Sequence, residues 1–193
     1  MSRAWWAACA AMALASVGVF MWGPGWAQSL DWQPQHAWTQ PWRWWTAAWV
    51  HVNAEHLVAN VLGCGVLAYW AQATTTPTRW LWAWCAAWPL THLALGVEPR
   101  LLHYGGLSGV LHAGVAVVTC RALWRGQGLQ RRLAGVVGVG LLIKLWLEQP
   151  GAWPLTVTPP WNFPVVSLAH ASGALAGVAC AVWMGLWERR RRP

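Results

Sequence analysis

The chain has 193 residues, of which 57% are hydrophobic and only 9% charged, against about a quarter charged in a water-soluble domain, so an ordinary soluble enzyme is excluded. Thirteen Lys and Arg against five Asp and Glu give a formal net charge of +8. The basic residues gather at the ends of apolar runs with no aromatic–basic groove between them, which speaks against nucleic acid and for membrane topology signals.

A helix that crosses the hydrocarbon core needs roughly 20 mostly apolar residues. Six candidates appear in chain order, several of them short or Gly-rich: 4–22, 55–71, 80–96, 107–124, 133–147 and 165–187. They are separated by Gly23-Pro24-Gly25, Thr74 to Pro77, Pro99, the Arg121 to Arg132 stretch and a Pro-rich connection from Pro150 to Pro164. The first segment, with Arg3 before it and Ala27 after it, also has the outline of a cleavable secretory signal. Its apolar run exceeds the usual signal core of about 7–15 residues, which favours a retained span. Several of the 21 tryptophans fall near the expected boundaries, where an amphipathic indole is comfortable.

Before the second segment the chain reads His51-Val-Asn53-Ala-Glu55-His56-Leu-Val-Ala-Asn60. His56 and Asn60 are four apart and share a helical face, Asn53 reads as the helix cap, and His51 as a supporting loop histidine. The fourth segment opens Gly105-Gly106-Leu107-Ser108-Gly109-Val-Leu-His112. On the fifth, Lys144 and Glu148 stand at i,i+4 and read as a structural pair near a boundary. The sixth carries His170 with Gly173 and Gly177 on the same face, where small residues let a neighbouring helix come close. His36, His92 and His103 lie in or near loops and read as incidental. The five cysteines are each alone in apolar surroundings and read as small core residues; no disulfide or metal site is expected.

In a six-span arrangement Arg3, Arg79, Arg121, Arg125, Arg131, Arg132 and Arg189 to Arg192 fall on one side, and only Arg43 and Arg100 on the other. The positive-inside rule then puts both termini in the cytoplasm, with 189–193 as a basic tail. Polar and ionisable residues within spans are expensive and mark function. His56, Asn60, Ser108, His112 and His170 lie on three of the spans, toward the non-cytoplasmic half.

A serine hydroxyl becomes a nucleophile when a base takes its proton, and histidine titrates in the right range. Ser108, flanked by glycines at a helix start, and His170, brought up by packing through Gly173 and Gly177, make that pair. His56, Asn60 and the backbone N–H of Ser108 are the expected donors to the oxyanion. Asp31 is the chain's only aspartate, so the expectation is a Ser–His dyad without an acidic third member. A small histidine-based transporter would show internal repeats, and none is found. A metalloprotease would show HExxH, which is absent.

These residues resemble the rhomboid family of intramembrane serine proteases. The match runs through Trp42-Arg43, His51, His56 and Asn60, then Gly106-Leu107-Ser108-Gly109, then Ala169-His170-Ala-Ser-Gly173-Ala-Leu-Ala-Gly177. Within the family the chain is most similar to the rhombosortases, on the His51 to Asn60 run, the Gly106 to His112 run and Lys144-Leu-Trp-Leu-Glu148-Gln149. The resemblance implies an all-α, six-transmembrane-helix bundle in a single domain spanning 1–193. It implies a cofactor-independent, metal-independent serine endopeptidase with Ser108 as nucleophile, His170 as base and His56 and Asn60 at the oxyanion. Gly106, Gly173, Gly177, His51 and His112 would support the site, with Arg43 in the first external loop. His112 stands where many relatives carry a tyrosine that braces the histidine. The implied setting is a monomer in a bacterial inner membrane, its site toward the periplasm. Its substrate is then a membrane-anchored protein, cleaved near a Gly-Gly-type C-terminal sorting segment. A general rhomboid protease and an inactive binder of membrane segments are the alternatives.

Overall fold

The computed structural model describes residues 2–98, 100–150, 157, 162 and 165–191. Within them the chain is a helical bundle. Among the described residues no β-strand forms, and an isolated antiparallel bridge joins Trp32 to Tyr104. Helix α1 (Ser2–Trp22) stops at Gly23, whose φ of 92° suits glycine alone, and Pro24 opens α2 (Pro24–Leu30). After α3 (Arg43–Thr46) comes α4 (Ala54–Ala73), started by the Asn53 side chain, which accepts the His56 N–H at 2.8 Å. Helix α5 (Leu81–Leu93) carries Pro89 and runs into 3-10 turns at both ends. Helices α6 (Ser108–Arg125), α7 (Gly128–Leu147) and α8 (Ser167–Arg190) complete the order.

Among the described residues, α1, α4, α5, α6, α7 and α8 overlie the six apolar segments in order, with shifted ends. Helix α7 begins at Gly128, five residues before the apolar run, because its first turns carry Gln130, Arg131 and Arg132. A hydropathy reading stops at charge, whereas backbone hydrogen bonding does not. Helix α5 is shorter than its segment, since its ends tighten into 3-10 geometry. Among the described residues, two stretches meet the requirement for a span by length and composition alone. These are Arg3–Trp22, with mean hydropathy 1.7, and Ser167–Arg190, with 1.4. Histidine, glycine, tryptophan and arginine dilute the rest. The Pro-rich connection at 150–164 lies largely outside the described residues, as does the end of the basic tail.

Residues 24–50, read from sequence as a loop, fold into α2, α3 and tight turns. Their centre is Arg43, 5% exposed, whose guanidinium bonds Asp31 Oδ1 at 2.9 Å, the Asp31 carbonyl at 2.6 Å and Gln40 at 2.6 Å. A buried charge persists only when paired in this way. The same region is pinned to α5 by His92, which donates to the Trp44 carbonyl at 2.7 Å, and by Trp88, which donates to the Trp45 carbonyl at 3.1 Å.

Helix α6 is the hub, buried along most of its length, with α4, α5, α7 and α8 around it. The main core unites Trp5, Leu67, Trp80, Trp84, Val117 and Met184 from five helices, with Trp5 and Trp84 stacked at 5.7 Å. At the opposite end from the site, Glu188 of α8 accepts from Arg79 Nε and from Trp80 Nε1 at 2.9 Å, tying α8 to the start of α5. Outward faces carry Leu62, Val66, Val136, Leu142, Leu175 and Trp183, all exposed, a surface suited to lipid rather than water. Of the cysteines, Cys9, Cys64 and Cys180 are buried as expected. Cys85 is exposed and Cys120 half-buried, on helix faces that the sequence pattern did not separate.

Candidate active site

The segment before α6 is held from three sides. Tyr104 exchanges backbone hydrogen bonds with Trp32 at 2.7 and 2.9 Å, and its hydroxyl donates to the Gly106 carbonyl at 2.9 Å. Burial pushes the Tyr104 phenol up, so it stays a donor. Gly106 donates to the Ala47 carbonyl at 3.0 Å with φ 145°, and a methyl group there would meet the His56 ring at 2.9 Å. Only glycine satisfies both demands. Ser108 follows as the first residue of α6, where backbone N–H groups lack intrahelical partners.

Helices α6 and α8 then meet backbone to backbone. A methyl group on Gly109 would stand 2.8 Å from the Ala169 carbonyl oxygen. One on Gly173 would be driven into the Gly109 carbonyl, and one on Gly177 into that of Ala113. Ser172 secures the same layer by donating to the Thr91 carbonyl at 3.0 Å. Small residues at these places remove the spacing that side chains would impose.

Across that seam His170 Nε2 lies 2.9 Å from Ser108 Oγ, with the histidine buried. The other ring nitrogen, Nδ1, lies 2.8 Å from Glu148 Oε2. The sequence reading finds no acidic residue near His170; the structure places Glu148 there. Glu148 follows the last residue of α7, and Gln149 after it has φ 46°, a left-handed turn that ends the helix there. Lys144 bonds the other carboxylate oxygen, Oε1. The Lys144–Glu148 pair read from sequence is therefore real but incomplete.

His112 stacks on His170 with centroids 4.3 Å apart and rings 12° from parallel, and donates through Nδ1 to the Ser108 carbonyl at 2.7 Å. His56 packs against His51 at 4.8 Å. His51 donates to the Trp49 carbonyl at 3.0 Å, and burial pushes it down to about 4, so it is neutral at neutral pH. Asn60 is buried on α4 and donates to the His56 carbonyl at 3.1 Å.

Ser108, His170, His56, Asn60 and His112 all line one open groove of about 1140 Å³, walled by α4 on one side and α7 on the other. The α7 side contributes the apolar Val137, Leu141 and Leu147 to its lining, and Lys144 and Glu148 line it too. A serine with a histidine at hydrogen-bond distance, opening on an apolar groove, can attack a carbonyl carbon.

Two residues were missed by sequence reasoning. Glu148 is 22 positions from His170 and on another helix, so no local spacing signals the contact. His103, read as incidental, lines the groove and donates to Asp31 Oδ2 at 2.7 Å. The hint available for it was that Asp31 is the chain's only aspartate. His36 lies in a 3-10 turn, away from the groove-lining residues. Among the described residues no group of His, Cys, Asp and Glu is arranged to hold a metal ion.

The family model described as "Rhomboid domain" matches residues 38–187. The "Rhomboid protease GlpG" of Pectobacterium atrosepticum is 24% identical over 157 residues, which is 75% of this chain and 49% of that protein. The chain thus spans about half the length of the curated relative it matches.

Proposed function

Because this chain belongs to the rhomboid family, we propose that it is an intramembrane serine endopeptidase of six spans, both termini cytoplasmic, acting as a monomer in a bacterial inner membrane. The observation that carries the reading is the 2.9 Å contact between Ser108 Oγ and His170 Nε2, made across two helices and facing the groove. His170 takes the hydroxyl proton as Ser108 Oγ attacks the scissile carbonyl. His56, Asn60 and the Ser108 N–H receive the negative charge that develops on its oxygen. The same proton passes to the leaving amine, and water then releases the acyl group from Ser108. The charge asymmetry of the loops supports an active site toward the periplasm.

The substrate we propose is a membrane-anchored protein with a C-terminal sorting segment of the Gly-Gly type. Support comes from the similarity of the His51 to Asn60, Gly106 to His112 and Lys144 to Gln149 runs to the rhombosortases. A bond in a helical span must unwind before attack, which helix-breaking glycines ease.

In liposomes, the chain should cleave a single-span fusion bearing a Gly-Gly segment, an apolar span and a basic tail, while Ser108→Ala should not. Equal cleavage by Ser108→Ala would overturn the protease reading. Cleavage that ignores replacement of the two glycines by leucine would leave a general rhomboid protease.

A further inference from the structure

Glu148 is placed as a structural pair partner would not be. An i,i+4 partner of Lys144 alone points along the helix surface. Here the side chain turns inward at the end of α7 and spans to α8, where Oε2 meets Nδ1 of a His170 side chain that is 7% exposed. Lys144 occupies the other oxygen, so the carboxylate is ionised and held in one orientation. The left-handed turn at Gln149 ends the helix at this residue, a backbone cost that persists where surroundings impose it.

We infer that Glu148 is a positioning residue of the hydrolytic unit, completing a Ser108–His170–Glu148 triad. This rests on the serine-protease reading above and deepens it. A carboxylate accepts only, so it keeps the remaining proton of neutral His170 on Nδ1 and leaves the Nε2 lone pair facing Ser108 Oγ–H. When Oγ bonds to the substrate carbon, its proton moves to Nε2 and the ring becomes a buried imidazolium. Glu148 stays ionised, takes no proton and balances that charge until Nε2 gives the proton to the leaving group. The other groups facing the imidazole include Ser108 and His112 of α6 and His56 of α4, and none of these three carries negative charge.

A bond that only tethers α7 to α8 would survive Glu148→Gln, since an amide oxygen still accepts from Nδ1. The charge would not survive. The test is therefore saturation labelling of the full chain in detergent with an alkyl fluorophosphonate, in which Ser108 Oγ bonds to phosphorus, fluoride leaves and His170 takes the proton. Glu148→Gln should lower the limiting labelling rate about 30-fold or more, against the roughly 10⁴-fold loss on amidating the triad carboxylate of a serine protease. The half-saturating probe concentration and melting temperature should stay near wild type. Glu148→Asp, which restores the charge on a shorter arm, should label about fivefold faster than Glu148→Gln or better. Wild-type labelling rates in Glu148→Gln, or losses shared by Gln and Asp together with lower melting temperatures, would overturn the triad and leave the protease reading intact. Failure of the wild type to label at Ser108 would overturn both.

Discussion

The two walls that meet at the site are built in opposite ways. The α6–α8 seam is backbone against backbone, and both Ser108 and His170 ride on it. The α7 wall packs on α6, has Ala134 as its only residue buried among the described ones, and contributes to the groove through Leu141 and Leu147. Reactive atoms need a fixed separation, and closely packed helices supply it. A substrate needs room, and a loosely packed helix leaves it. The difference teaches that glycines on α6 and α8 are structural necessities, while glycines on α7 are not.

Four substitutions and one pH scan would break or sharpen that contrast. The largest effect is expected from Gly173→Ala, because the Gly109 carbonyl that its methyl would meet has no rotamer to yield. Overpacking of this kind costs about 1–3 kcal/mol or more, and parting the helices should abolish fluorophosphonate labelling of Ser108. Normal labelling with an unchanged melting temperature would show that the seam is softer than its geometry. Gly106→Ala comes next: its φ of 145° and the His56 ring both oppose a side chain. Strain of about 1–3 kcal/mol should slow labelling roughly tenfold or more, whereas a rate within twofold of wild type would contradict the fit described.

The acid response tests the α4 side of the groove, behind His56. The folded pKa of His51, about 4, lies below its ordinary value of about 6.5. The folded state therefore prefers the neutral ring. That contribution to stability is complete above pH 6.5 and is lost as pH falls from 6.5 toward 4. Melting temperatures followed over that window should decline in the wild type and decline less in His51→Gln; parallel curves would count against His51 as the source.

On α7, Leu141→Trp should raise KM about threefold to tenfold with kcat nearly unchanged, since it narrows the groove without touching the reacting atoms. A fall in kcat alone would mean that the wall reaches the chemistry. The smallest change, and the one of opposite sign, is Gly135→Ala. Its methyl meets nothing within 4 Å, so the helix should gain up to about 1 kcal/mol, read as a modest rise in melting temperature at unaltered labelling rate.

Much of the bundle is legible in the amino-acid order because apolar runs and breakers are local. Asn53 as a cap, the pairing of Gly173 and Gly177 with α6, and the Ser108–His170 encounter all follow from spacing and residue type. What is not legible depends on distance in sequence. The Arg43–Asp31 clamp that organises 24–50 joins two residues whose meaning lies only in their meeting. Glu148 has a perfectly adequate local partner in Lys144, and that sufficiency hides its long-range one.

The seam also has a consequence in time. Ser108 and His170 are 62 positions apart, which at about 5–20 residues per second is roughly 3–12 seconds of translation. During that interval the serine is already in the nascent chain, yet its hydroxyl has no base. The reactive pair comes into being only when α8 docks on α6. Under the proposed function, a nascent chain therefore stays inactive until α8, which also completes the packing of α6, has arrived.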